Sequence, residues 1–193
     1  APDVISAQDI FSWEKLNKVS VTHMSIFGRL LVLVANDRVG VFTIKPFFRL
    51  MEIFEPNIKF TCALTRMDSK FVKYAFQLKT EGSTNLSLDL SDEKGTLDVR
   101  ENFVITGDTE GAIWIADPVS GQFRDMLAEP DSGRGAVTAL EPLGKSAVIC
   151  SSWQNGMLAV WDVYRMQAVW TREAHDSLSF RMLALSSVVL TIG

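Results

Sequence analysis

Two segments of this chain match without a gap at a spacing of 45 residues, and that match constrains the fold more than any other feature. Ile105–Asp117 reads ITGDTEGAIWIAD, and Cys150–Asp162 reads CSSWQNGMLAVWD. In each, an apolar run enters small residues, passes a polar turn ending in glycine, and leaves through a second apolar run ending in aspartate. This is the pattern of a β-hairpin, in which Gly111 or Gly156 can take the positive φ that a tight turn needs.

The rest of the chain repeats the same texture from about residue 19 onward. Short β-branched and aromatic runs lie between Gly, Asn, Asp and Pro turns and predict strands. In the first half these are Val19–Phe27, Leu30–Ala35, Val39–Lys45, Phe48–Phe54, Ile58–Thr65, Phe71–Leu78 and Leu86–Leu90. In the second half they are Phe103–Thr106, Ala112–Ala116, Val137–Leu140, Ala147–Cys150, Met157–Asp162, Ala168–Thr171, Phe180–Leu185 and Val188–Ile192. Many short strands at regular intervals predict an all-β sandwich, barrel or propeller, and a repeat of roughly 40–45 residues selects a propeller built from four-stranded blades. Residues 1–18 form a separate N-terminal segment, where Ser6 and Asp9 ahead of Ile10, Phe11 and Leu16 could cap one short helix. Residues 19–193 are then the blades.

At the repeat the residues resemble the WD-repeat (WD40) family, whose blades carry a pattern like small-Ser-Gly-Ser-x-Asp-Gly-x-Ile-x-Val-Trp-Asp. Trp161-Asp162 reproduces the terminal dipeptide, while the earlier copy has Ala116-Asp117. After Asp162 the run VYRMQAVW is similar to the turn and outer strand that close a blade, and Pro118–Gly121 makes the matching turn before Gln122–Leu127. Ala174-His175 is similar to the family's Gly-His dipeptide ahead of the next inner strand. Ser187–Gly193 then resembles Ser146–Ser152 at an offset of 41 residues, so the last blade is truncated after two strands. Upstream, Leu30–Lys45 has the strand–turn–strand form without Trp-Asp. The 72 residues from Val39 to Gly111 exceed one period and fall short of two, so either one blade is degenerate or about 27 residues are inserted. Polar runs 81–85 and 91–95 are the expected loop tips. About four blades, the last one halved, make a degenerate and incomplete member of the family.

The resemblance also implies structural roles. In the family, a buried His, Ser/Thr, Asp and Trp can tie a blade together. Here Trp161 has the right position, Gln154 stands where Asp is usual, no His precedes that blade near Glu129–Asp131, and His175 would serve the following blade. Gly111, Asp117, Gly156, Trp161, Asp162 and His175 are therefore read as structural repeat positions. Trp153 falls, in the alignment, in a turn between strands. An aromatic there is a candidate anchor for a protein partner, since Trp is enriched in binding hot spots; packing against the neighbouring blade is the alternative. On the strand phase so derived, Trp161→Ala is expected to destabilise the fold more than Trp153→Ala.

Composition narrows the function. With 47% hydrophobic and 22% charged residues the chain can bury a core and is unlike a disordered segment. No apolar run approaches the ~20 residues needed to span a bilayer as a helix, and the first residues carry no secretory signal. The absence of an initial Met suggests a trimmed chain or a fragment. Two cysteines, Cys62 and Cys150, each inside a strand-like run, suit a reduced intracellular and cytoplasmic protein rather than a disulfide scaffold or a zinc site. Residues 1–80 hold 11 of the 19 Lys and Arg and 7 of the 23 Asp and Glu, a net +4, whereas the remainder carries −8. That balance offers no overall attraction to nucleic acid, although the basic part could meet an acidic partner locally.

Catalytic signals are sparse. Neither His23 nor His175 lies near an evident nucleophile, and no nucleophile-elbow or phosphate-loop motif occurs. Asp89, Asp92, Glu93 and Asp98 lack calcium-loop spacing and read as a solvated loop. Phe47, Phe48 and Arg49 beside Lys45 form an aromatic–basic cluster that could stack bases, weighed against burial of the rings. The expected function is a non-catalytic protein-interaction scaffold or adaptor, a subunit of a larger intracellular assembly, with no cofactor or metal. Its partners would be protein subunits or the remainder of a longer propeller. An enzyme domain on a propeller support, or a nucleic-acid-binding repeat protein, is the alternative.

Overall fold

The structure is a computed structural model that describes residues 20–45, 47–80, 102–144, 147–175, 181–185 and 188–192. The first sheet is formed by β1 (Val21–Phe27), β2 (Leu30–Ala35), β3 (Arg38–Thr43) and β4 (Phe48–Phe54). The second contains β5 (Phe60–Arg66), β6 (Phe103–Asp108), β7 (Ile113–Ala116) and β8 (Phe123–Ala128). The third contains β9 (Val137–Pro142), β10 (Val148–Trp153), β11 (Met157–Asp162) and β12 (Gln167–Glu173). Among the described residues a fourth holds β13 (Arg181–Leu185) and β14 (Val188–Ile192). Each is an antiparallel meander in sequence order, and together they form an unclosed array of blades.

The repeat holds at the level of register. Ile105 pairs with Ile115 in the second sheet, and Cys150 pairs with Val160 in the third, each pair displaced from the other by 45 residues. Gly111 and Gly156 close the corresponding turns with φ of 83° and 85°, a conformation that side-chain-bearing residues seldom adopt. The two-stranded sheet follows the same frame. Leu183 opposite Leu190 repeats Pro142 opposite Ile149 at the 41-residue offset.

Stacking of blades explains why so many strands are apolar on both faces. All six residues of β2 are buried. Val32, Val34, Val41 and Ile53 of the first sheet pack on Phe60, Ala63, Val104 and Ala116 of the second. On its opposite face the second sheet sets Leu64, Ile105 and Ile113 against Val137, Leu140, Ile149 and Trp161 of the third. A strand sandwiched this way reads as a continuous hydrophobic run rather than an alternating one. The tightest approach is at Gly107, where an added Cβ would stand 2.6 Å from Val137 Cβ. Beside it, Thr61 Oγ1 donates to Val137 O at 2.6 Å and links the inner strands β5 and β9.

One expected strand is a helix. Residues Phe71–Leu78 lie within α1 (Ser69–Thr80). Asp68 caps it by accepting from Phe71 N at 2.7 Å, and Asp68 N in turn donates to Asn102 Oδ1 at 2.8 Å. Phe71 and Ala75, four residues apart, turn inward and are buried against the first and second sheets. The helix lies in the connection between β5 and β6, which are neighbours in one sheet, so the 72-residue spacing contains an insertion at this point. The expected helix in 1–18, the strand Leu86–Leu90, the loop tips at 81–85 and 91–95, and Asp89, Asp92, Glu93 and Asp98 lie outside the described residues.

Candidate functional site

The repeat positions carry a set of buried polar contacts that differs from blade to blade. In the second sheet Asp108, a buried carboxylate, accepts from Glu110 N and Ala112 N through Oδ1 and from Trp114 Nε1 through Oδ2, at 2.8–2.9 Å. In the third sheet the equivalent position is Trp153, which cannot cap a turn. Asn155 does so instead, its Oδ1 accepting from Met157 N at 3.0 Å. Asp117, just after β7, and Asp162, the last residue of β11, fold back onto the next turn: Asp117 Oδ1 accepts from Val119 N and Ser120 N, and Asp162 Oδ1 from Arg165 N. Aspartate suits these strand ends because its short carboxylate satisfies the amides of the following turn.

Trp161 donates through Nε1 to Ser151 Oγ at 2.7 Å. The equivalent pair in the second sheet is Ala116 and Thr106, and with no indole at 116 the buried Thr106 hydroxyl has no hydrogen-bond partner. His175 Nε2 lies 2.8 Å from Thr191 Oγ1, joining the segment after β12 to β14. Gln154 Oε1 receives Ala136 N at 3.4 Å and ties its turn to the approach to β9.

Trp153, expected in a turn as an anchor for a partner, is the last residue of β10 and only 1% exposed. Its Nε1 donates to Gly111 O at 2.9 Å, the Arg134 guanidinium lies 5.1 Å from its ring centroid, and its ring tilts against Trp161 at 6.3 Å. The indole joins the second and third blades. The aromatic–basic cluster near Lys45 is likewise dispersed. Phe47 stacks on Phe42 with centroids 5.3 Å apart, and Arg49 pairs with Glu52.

Two surface features stand out instead: the sheet edge at Val188–Ile192, which the truncated last blade already implied, and a cleft that sequence reasoning did not single out. On the two-stranded sheet, the facing residues Leu183 and Leu190 are 51% and 52% exposed. Among the described residues β14 pairs with β13 on one edge and with no strand on the other. At the other end of the array Met24 and Ile26 of β1 are also more than half exposed. The second feature is a cleft of about 720 Å³ where the β1–β2 turn, the end of β3 and the start of α1 meet.

Titratable groups in the interior are shaped by burial. Desolvation pushes the Cys62 thiol up to about 12 and the Cys150 thiol up to about 11, so both stay protonated and unreactive at neutral pH. Burial lowers His23 and raises Glu141. Among the described residues no group of three or more His, Cys, Asp or Glu side chains is placed to hold a metal ion, and no helix is long and apolar enough to cross a membrane.

Comparison with solved structures identifies the architecture. U3-55K superposes with a TM-score of 0.63 at 16% identity over 90% of this chain, and the WD40 repeats of RRP9 do so with the same three values. A chain of the Mitotic Checkpoint Complex gives 0.62 at 13% identity over 91%. The match covers 45–46% of each of those chains, so this chain spans less than half their length. No protein-family model and no curated protein matches the sequence. The fold is WD40-like: among the described residues, three four-stranded blades and a two-stranded fourth, unclosed.

Proposed function

We propose that this chain is a non-catalytic protein-interaction scaffold, a subunit of a larger intracellular assembly whose open blade edge receives further strands. The observation that carries this reading is that exposed Leu183 and Leu190 lie on a sheet whose β14 edge has no strand partner among the described residues. An unpaired edge beside an apolar face is a template for strand addition, in which main-chain hydrogen bonds give affinity and side chains give register. The added strands come from a partner subunit or from more of the same polypeptide. The WD40-like fold supports the reading by offering several loops on a rigid base, and one of its structural neighbours is a component of a checkpoint complex. Two buried free cysteines fit a reducing compartment.

Light scattering of the isolated chain tests the proposal. Wild type is expected to associate as concentration rises, and a Leu183→Asp/Leu190→Asp variant, altered at exposed positions only, is expected to remain monomeric. A compact wild-type monomer that melts cooperatively at every concentration would overturn the open-edge reading.

A further inference from the structure

The cleft at the foot of the first two blades is built with one sign of charge. Arg29 comes from the β1–β2 turn, Lys45 follows β3, and Lys70 and Lys73 stand on the first turns of α1. Among the described residues no acidic side chain lines it. Arg29, Lys70 and Lys73 make no ion pair among the described residues, and the nearest acid in sequence, Asp68, is occupied in capping α1 and in its contact with Asn102. The floor is apolar, formed by the partly buried side chains of Phe27, Met67 and Val72.

This arrangement runs against one local preference. The cleft cations all lie in residues 1–80, the half of the chain that carries net +4. Cations near a helix N-terminus are disfavoured by the helix dipole, and α1 has no acidic residue in its first turn. Lys70, in the first turn, therefore weakens the helix that bears it. A ligand of opposite charge removes that conflict.

We infer that the cleft binds an acidic peptide segment of a partner protein, with one bulky apolar side chain on the floor and flanking carboxylates on Arg29, Lys70 and Lys73. Its volume lies in the range of pockets that enclose a small organic group, which suits one or two side chains. Peptide fits better than nucleic acid. A single-stranded polyanion needs a basic track and open aromatic platforms, whereas this floor is mostly aliphatic and thioether, and residues 81–193 carry −8. The inference deepens the scaffold reading but uses a different surface from the β14 edge, so either can fail alone.

Fluorescence anisotropy with a labelled peptide of glutamates around a central Leu-Phe pair tests it. Saturable binding that weakens with added salt is expected. Changing the glutamates to glutamines, or Leu-Phe to Gly-Ser, should each weaken binding about tenfold or more. Lys70→Glu/Lys73→Glu should do the same while leaving the melting temperature unchanged or raised, because acids suit a helix N-terminus. Arg29→Glu, in a turn remote in sequence from α1, should act in the same direction and guards against a helix-specific artefact. No saturable binding, equal binding by the charge-reversed proteins, or tighter binding of oligo-dT that the peptide fails to displace would each overturn the inference. The association state measured by light scattering should be unaffected by these variants, which separates failure here from failure at the β14 edge.

Discussion

Truncating Trp153 should cost as much stability as truncating Trp161, against the expectation from strand phase alone. Both indoles are buried, at 1% and 6% exposure, and each donates one buried hydrogen bond. Replacing a fully buried Trp by Ala costs about 3–5 kcal/mol in lost packing and cavity formation. Trp153→Ala also strands Gly111 O and removes the ring over which Arg134 lies, adding roughly 1 kcal/mol. A total of about 4–6 kcal/mol is a large part of the ~5–15 kcal/mol that stabilises a typical domain. The melting temperature should fall on the order of 10–20 °C for a chain of this size. Trp153→Phe keeps most of the volume but loses the donor, so it should cost only about 1–2 kcal/mol. Urea unfolding followed by far-UV circular dichroism gives the three values. A loss below about 1 kcal/mol for Trp153→Ala beside ~3–5 kcal/mol for Trp161→Ala would place Trp153 at the surface and refute the blade packing described here.

Thr106→Val should stabilise the fold by about 1 kcal/mol, because it removes a buried hydroxyl with no partner at nearly constant shape, whereas Ser151→Ala should destabilise it by a similar amount by orphaning the Trp161 N–H; chemical denaturation of both decides this. Gly107→Ala should destabilise by roughly 1–3 kcal/mol, since its Cβ would force β9 away from β6, and Val137→Ala in the same chain should recover part of the loss. Cys62 and Cys150 should resist alkylation by iodoacetamide in the folded protein at neutral pH and react on unfolding; fast labelling of the native state, read by mass spectrometry, would contradict their burial and raised thiol values.

The sequence was most legible where structure is local. The hairpins around Gly111 and Gly156 follow from turn chemistry within a few residues, and their register repeats as the 45-residue match requires. Trp153 was misplaced because its equivalent, Asp108, caps a turn. Only the carbonyl of Gly111, 42 residues away, shows that the indole faces the previous blade. Residues 71–78 read as a strand on aromatic content, although Asp68 as a cap and the four-residue spacing of Phe71 and Ala75 were the helical signals. Leu183 and Leu190 look like core residues in any local reading. Their exposure depends on which sheet stacks on them. The basic cleft was hidden for the same reason, since Arg29 and Lys73 meet only after β1, β3 and β5 are aligned.

Amide hydrogen exchange, compared between dilute and concentrated solutions, tests the open-edge account most directly. β2, β6 and β10 should be protected in both, since they are central strands of complete blades. β13 and β14 should exchange rapidly when dilute and slow markedly on association. Exchange in β13–β14 that is already as slow as in β10 when dilute, or that is unchanged by concentration, would contradict an edge that recruits further strands.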